Sequence, residues 1–300
     1  MGTEFWWFYD VIAAAVILVC IFLSGKKGFL KSTLTAVCCV VSIFIAFAVS
    51  GTLSQSLYKN TVRSSNIKKI EKNINSTVFT QKYAAYLENM GYFIKVNSEK
   101  LDTVFKSDKE LDKALCDYVN NINSRKTEEN EAVLIEKIHE GYAVVMSEII
   151  SQSLNKFAAE TAANEIRNDS SGMKELILFM LDKDSNHKAA VYIADKYTAS
   201  AYSTIFSLTG FVVLYISLFL IIMAVINSFT SRSEGGTQSI SSHISGGFMG
   251  IITGGIMVFA AAAVIRLWAI MGSNEMLFFN NDVIDGTFIF KYFYDLTLKM

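Results

Sequence analysis

Proline is missing from this chain of 300 residues. At ordinary usage about 15 would be expected. Proline punctuates loops, strand edges and helix starts. Its absence suits long, unkinked helices joined by Gly, Ser and Asn. Charge is also scarce, at 18% of residues with a net −1, where soluble domains carry about 25%. Binding of nucleic acid through bulk charge is thereby disfavoured, since no long basic run exists. Disorder needs low hydrophobicity and high net charge, and 52% of this chain is apolar. Cysteine gives little. Cys20, Cys38 and Cys39 lie in apolar runs, where thiols are small hydrophobes. Cys116 stands alone in a charged segment, so that segment holds no internal disulfide. With 4 cysteines and no Cys-x-x-Cys, redox and zinc chemistry are not expected.

Histidine is equally sparse: His139, His187 and His243. Glu136 and His139 have the Glu-x-x-His spacing that puts two ligands on one helix face in di-iron bundles, and Asp184 and His187 repeat it with a shorter acid. Such a site needs two further glutamates, which nothing marks out. No phosphate loop, Gly-x-Ser-x-Gly or His-Glu-x-x-His occurs. No catalytic, cofactor or metal site is expected, and no small-molecule substrate is identified.

What the chain does have is apolar length. Phe5–Leu23 carries one charge, Asp10; Ser32–Tyr58, Tyr197–Ser231 and Ile244–Ile265 carry none. At 1.5 Å per residue, about 20 apolar residues cross a hydrocarbon core of about 30 Å. Buried core helices are usually shorter and keep a polar stripe. The spacing predicts an all-α membrane protein with four transmembrane helices. The first is not read as a signal peptide, because the residues ahead of it are acidic rather than basic. Phe5-Trp6-Trp7-Phe8-Tyr9 reads as an aromatic belt. Asp10, just inside it, is a boundary residue or an intramembrane acid with a function.

Lys26, Lys27 and Lys31 crowd one short connection with no acid nearby, which marks the cytoplasmic side. Both termini and the segment after Gln55 then fall outside the cytoplasm. Residues 55–201 hold 20 of the 27 Lys+Arg and 21 of the 28 Asp+Glu. They read as an inserted helical extracytoplasmic domain. Leu111, Leu115, Tyr118 and Ile122 form one stripe, and Ile135, Ile138, Tyr142, Val145 and Ile149 another. Ile67, Ile70 and Ile74 begin a third, and Leu176, Ile177, Met180 and Leu181 mark a fourth. Ser107 with Glu110 is a capping-box pattern, and Thr127 and Ser171 are further candidate caps. The organisation is therefore 1–54 (two spans and the lysine turn), 55–201 (external domain), 202–266 (two spans with a flexible cytoplasmic link over 228–245) and 267–300. That last stretch is an aromatic amphipathic tail, in the outer interface or packed on the external domain. In the fourth span Gly246, Gly250 and Gly254 recur every fourth residue, lining bare backbone along one face for close helix packing. Ser42, Ala46 and Ser50 offer a weaker match in the second.

Asp10 followed by Gly25-Lys26-Lys27-Gly28-Phe29 resembles the Asp…Arg-Gly-Phe signature of the colicin V production protein (CvpA) family. Ser245-Gly246-Gly247-Phe248-Met249-Gly250 through Gly254 is similar to that family's glycine-repeat span, and Asp285-Gly286-Thr287-Phe288 to its closing segment. Lys27 replaces the usual Arg, and Ser242-His243 stand where Asp-Arg or Asn-Arg is common. The resemblance covers about residues 5–55 and 205–296, leaving the external domain as an enlarged loop. It implies a bacterial multi-pass membrane protein needed for production or export of a peptide toxin, with no catalytic residues to carry over. The expectation is a non-enzymatic scaffold or accessory factor in toxin production, secretion or envelope function. Its partners are the lipid bilayer and itself or other membrane proteins, with no nucleic acid. The alternative is a small oligomeric channel or transporter pooling Asp10, Thr253, Asn227 and Arg266. A membrane-tethered enzyme would lack a constellation.

Overall fold

The computed structural model describes residues 5–74, 77–122, 130–230, 239–272, 274, 276 and 279–300, and all elements among them are helical. They are α1 (Trp6–Leu57), α2 (Arg63–Asn73), α3 (Val78–Glu88), α4 (Ser98–Phe105), α5 (Leu111–Ile122), α6 (Glu131–Ser151) and α7 (Lys156–Asn168). Then come α8 (Met173–Leu181), α9 (Asn186–Tyr192), α10 (Ala199–Thr230), α11 (Ile240–Met271), α12 (Asn281–Asp285) and α13 (Phe290–Thr297). One-turn π-helical segments, Tyr58–Val62 and Ile193–Tyr197, follow α1 and α9. The chain divides into two compact units, Met1–Leu57 with Ser203–Met300, and Tyr58–Tyr202.

Three helices are long and apolar enough to cross a membrane, those beginning at Trp6, Ala199 and Ile240. They support a membrane protein. The first two expected spans fall on α1, whose helix is broken at Gly28 (φ 76°, ψ 172°) into arms 6–27 and 29–57. That region of φ/ψ space is essentially reserved for glycine. Ser32 Oγ donates to the Ser24 carbonyl at 2.5 Å. Eight residues of straight helix would separate the two by about 12 Å, so α1 bends sharply there.

Along α1, Tyr9 apart, the buried face is made of small residues, among them Ala13, Cys20, Ser24, Ser32, Ala36, Cys39, Ser42, Ala46 and Ser50. Their three- and four-residue steps follow the helical period. The Ser42, Ala46 and Ser50 positions belong to this stripe and are fully covered. α10 meets the second arm through Gly210, where a Cβ would touch Ser50 Cβ at 3.4 Å, and through a 2.9 Å bond between Ser54 and Ser203 hydroxyls. It meets α11 through Phe211, edge-on to Phe259.

The unit of residues 58–202 packs large side chains. Phe79, Tyr83, Phe105 and Tyr142 interlock with ring centroids 5.3–5.8 Å apart, and Leu87, Leu101, Leu115, Leu134 and Ile138 close around them. Ile67 and Ile70 face this core from α2 and Ile74 from just past its end, and Leu176, Ile177 and Met180 face it from α8. The caps differ from those expected. Ser107 lies one turn ahead of α5, and its Oγ is buried without a partner. Helix α8 starts after Gly172 with no side-chain cap, and Ser171 bonds Asp169 through both its amide and its side chain. Thr127 lies outside the described residues, and α6 is capped by Asn130, which accepts from the Ala132 amide at 3.2 Å.

Candidate functional site: two backbone clamps on the apolar unit

The glycine face of α11 lies against the first arm of α1. A Cβ on Gly246 would sit 2.8 Å from the Ser24 carbonyl oxygen and 3.0 Å from Gly28 C; on Gly250, 2.6 Å from Ile21 Cα; on Gly254, 2.8 Å from Ile17 Cα. Atoms that close to a real Cβ are backbone and cannot swing aside, so only glycine permits this approach. Gly255, on another face, would meet nothing nearer than Phe293 at 3.8 Å.

At the Gly28 break, α11 repairs the backbone of α1. In a straight helix the Phe29 N–H would bond the Gly25 carbonyl. Here the Phe29 N–H donates to Ser242 Oγ at 3.0 Å, and the Gly25 carbonyl accepts from His243 Nδ1–H at 2.8 Å. Two consecutive residues thus satisfy both halves of a broken helical bond. Of the lysine turn, Lys26 extends its Nζ over the Phe22 ring at 4.4 Å, while Gly28 is buried beneath Gly246.

A second clamp holds the tail. At the start of α13 the cap residue Ile289 makes no side-chain bond, and Thr287 Oγ1 accepts only from the Lys291 amide, at 2.8 Å. The Asp10 carboxylate accepts from the amides of Phe288, Ile289 and Phe290 at 2.7, 2.9 and 2.9 Å. At the other end Arg266, 8% exposed, donates through Nη1 to the Thr297 carbonyl. An anion at the N-terminus and a cation at the C-terminus both complement the helix dipole. Between them Phe290 stacks on Tyr9 at 4.9 Å, and Tyr294 packs into the cluster of Tyr9, Ala13, Val258 and Ala262. The tail therefore packs on α1 and α11. Phe288 and Tyr292 remain outward, 67% and 66% exposed. Thr253, read in the sequence as a pathway candidate, donates to its own helix at the Met249 carbonyl, and Asn227 is exposed near the end of α10.

The histidines of the other unit are held by ordinary partners. His139 Nε2 meets both Asp112 (2.8 Å) and Ser170 (3.1 Å). A nucleophile relay needs its acid and its hydroxyl on opposite ring nitrogens, so this trio does not form one. His187 pairs with Glu71 at 3.0 Å rather than with Asp184. Among the described residues no three of His, Cys, Asp and Glu converge to hold a metal ion. Burial pushes the Cys116 thiol up to about 11, which keeps it unreactive at neutral pH. Arg167 bonds Glu140 through two nitrogens at 2.7 Å and holds that carboxyl below the usual glutamate range.

Sequence reasoning found the glycines but not the clamps. A short helix with more free amides at its start than its one local acceptor, Thr287, can satisfy, in a chain with an unassigned acid in an apolar run, is the signal that could have paired α13 with Asp10. In comparisons with known proteins, no family model, no curated protein and no solved structure matches this chain.

Proposed function

We propose that this is a CvpA-like integral protein of a bacterial cell membrane, acting as a non-enzymatic scaffold or accessory factor in toxin production, secretion or envelope function. The two arms of α1, α10 and α11 cross the bilayer as four spans. The Lys26–Lys31 turn is cytoplasmic, and both termini and residues 58–202 lie outside. Supporting the membrane assignment are three apolar helices whose surfaces are largely bare: only 17% of the most apolar stretch of α10 is buried. One observation carries the functional reading. Asp10, Arg266, Ser242 and His243 each bond a backbone group of another element. Such residues build an architecture rather than line a pathway or attack a substrate.

The resemblance to the family rests on the Gly28–Phe29 turn, the glycine span and the closing Asp285-Gly286-Thr287. The first two meet at the Gly28 break, and the third leads directly into the amides that Asp10 holds. Crosslinking from residues 58–202 in intact cells, followed by identification of the captured protein, tests the scaffold role. Capture of an envelope or secretion protein is expected. Proteoliposomes that conduct ions in proportion to this protein would replace the reading with a channel. An impermeant thiol reagent tests the topology: labelling of Cys placed at position 27 but not at 126 in intact cells would invert it.

A further inference from the structure

Beside the Gly28 turn, α1 and α11 frame an open groove of about 380 Å³. Its floor exists because side chains are missing. A Cβ on Gly247 would meet nothing closer than Ile21 Cγ2 at 3.5 Å. Its walls are Phe22, Phe248 and Ile251, exposed by 61%, 63% and 47%. At one end stand Lys26 and His243. Since His243 Nδ1–H is committed to the Gly25 carbonyl, the Nδ1–H tautomer presents Nε2 as an acceptor on its other side.

We infer that this groove holds an acyl chain of an anionic phospholipid whose headgroup carries hydroxyls. The phosphate lies at Lys26 and a headgroup hydroxyl donates to His243 Nε2. The chemistry matches along the whole groove: apolar walls for the chain, a cation for the phosphate, an acceptor for the hydroxyl. Basic pockets between helices at a membrane face are suited to anionic headgroups. A second copy of this chain is the other occupant of similar polarity. It would bring Lys26, Lys27 and Lys31 toward their own copies, with Asp10 the only acid in the described part of either arm, so charge complementarity favours the lipid. The inference rests on the bilayer-crossing reading above and not on the scaffold role.

The experiment reconstitutes the full chain in nanodiscs of mixed phosphatidylglycerol and phosphatidylcholine, then counts the lipids retained after extraction by native mass spectrometry. Wild type should retain phosphatidylglycerol preferentially. Lys26→Gln should lower that retention roughly fivefold, the factor one cation at an anionic lipid surface supplies. Gly247→Leu fills the groove and should abolish the preference, while Gly255→Leu and Lys291→Gln should leave it unchanged. Equal loss in Lys291→Gln and Lys26→Gln would reduce the effect to net charge and overturn the site. A Gly247→Leu variant that changes oligomeric state but keeps its lipid preference would assign the groove to a second copy. Protein that enters nanodiscs yet retains both lipids equally defeats this inference alone; protein that does not enter them defeats the membrane reading as well.

Discussion

In the unit of residues 58–202 large side chains are fully buried, among them Tyr83, Tyr142, Phe79, Phe105 and Leu115, with alanines such as Ala143 and Ala162 packed between helices. Along α1 the order is reversed. Ala13, Ser32, Ser42 and Ala46 are covered, while Leu18, Phe22 and Phe44 are 61–69% exposed. The two patterns follow from two solvents. In water, burying a large apolar side chain contributes about 1.5–3 kcal/mol, so leucines and aromatics turn inward. Lipid tails are as apolar as leucine, so nothing is gained by hiding one. What remains is dispersion between closely packed surfaces and the bonding of backbone polar groups, both of which favour small residues at the contact. The small buried stripe and bare apolar exterior of α1 are therefore an internal measure of where its surroundings cease to be water.

The comparison can be broken most forcefully by truncating large side chains on both sides of it. Phe105→Ala, at a fully buried position, should cost about 3–5 kcal/mol, seen as lost hydrogen-exchange protection across α4 and α3. Phe44→Ala, on the exposed face of α1, should change the stability of the purified protein by less than about 0.5 kcal/mol. A comparable loss from Phe44→Ala would mean that this face is a protein contact.

Next in size are the backbone devices peculiar to the apolar unit. Gly28→Ala forces a Cβ into a conformation that costs about 1–3 kcal/mol for any other residue, and should raise protease access to the lysine turn. Asp10→Asn keeps the shape but removes the charge that three amides share. Its NH2 replaces one of the two acceptor oxygens and faces an amide donor, so at the cost of one lost bond to a charged group it should weaken the tail by about 1.5–3 kcal/mol, read as faster exchange at residues 288–297.

The smallest effect belongs to the water-exposed surface. Glu140→Gln should cost no more than about 1 kcal/mol, since an ion pair about two-fifths exposed is screened by solvent. The sign with pH is fixed. Because Arg167 depresses the folded-state pKa of Glu140, the pair's contribution is fully present above the ordinary glutamate value. It is lost as pH falls through the depressed one. Exchange protection at the α6–α7 contact should fall in acid for wild type, with a smaller change in the variant.

Much of this was legible in the residues. The stripe of Leu111 and Leu115, the isoleucines of α2 and the four-residue step of Gly246, Gly250 and Gly254 are local periodicities, and periodicity survives without knowledge of the fold. What was not legible is long range. Asp10 meets residues 278–280 positions away, and His243 meets Gly25 across 218. No spacing rule links such pairs, because they are set by which helices pack. The cap assignments failed for a related reason. Ser107 has the right residue type, but its hydroxyl is carried into a buried position one turn ahead of α5.

Close backbone contact between α11 and α1 holds the apolar unit together. Gly250→Leu and Gly255→Leu, compared by thermal unfolding in one mild detergent, test it most directly. The first places a side chain where a Cβ is already 2.6 Å from the Cys20 carbonyl oxygen and Ile21 Cα; the second meets only the Phe293 side chain, at an ordinary contact distance of 3.8 Å. Overpacking typically costs about 1–3 kcal/mol, and a rigid backbone neighbour puts Gly250→Leu at the upper end. The expected result is a marked fall in unfolding temperature, or loss of folded protein, for Gly250→Leu with Gly255→Leu close to wild type. Equal behaviour of the two variants would contradict the claim and leave the spans as separate anchors.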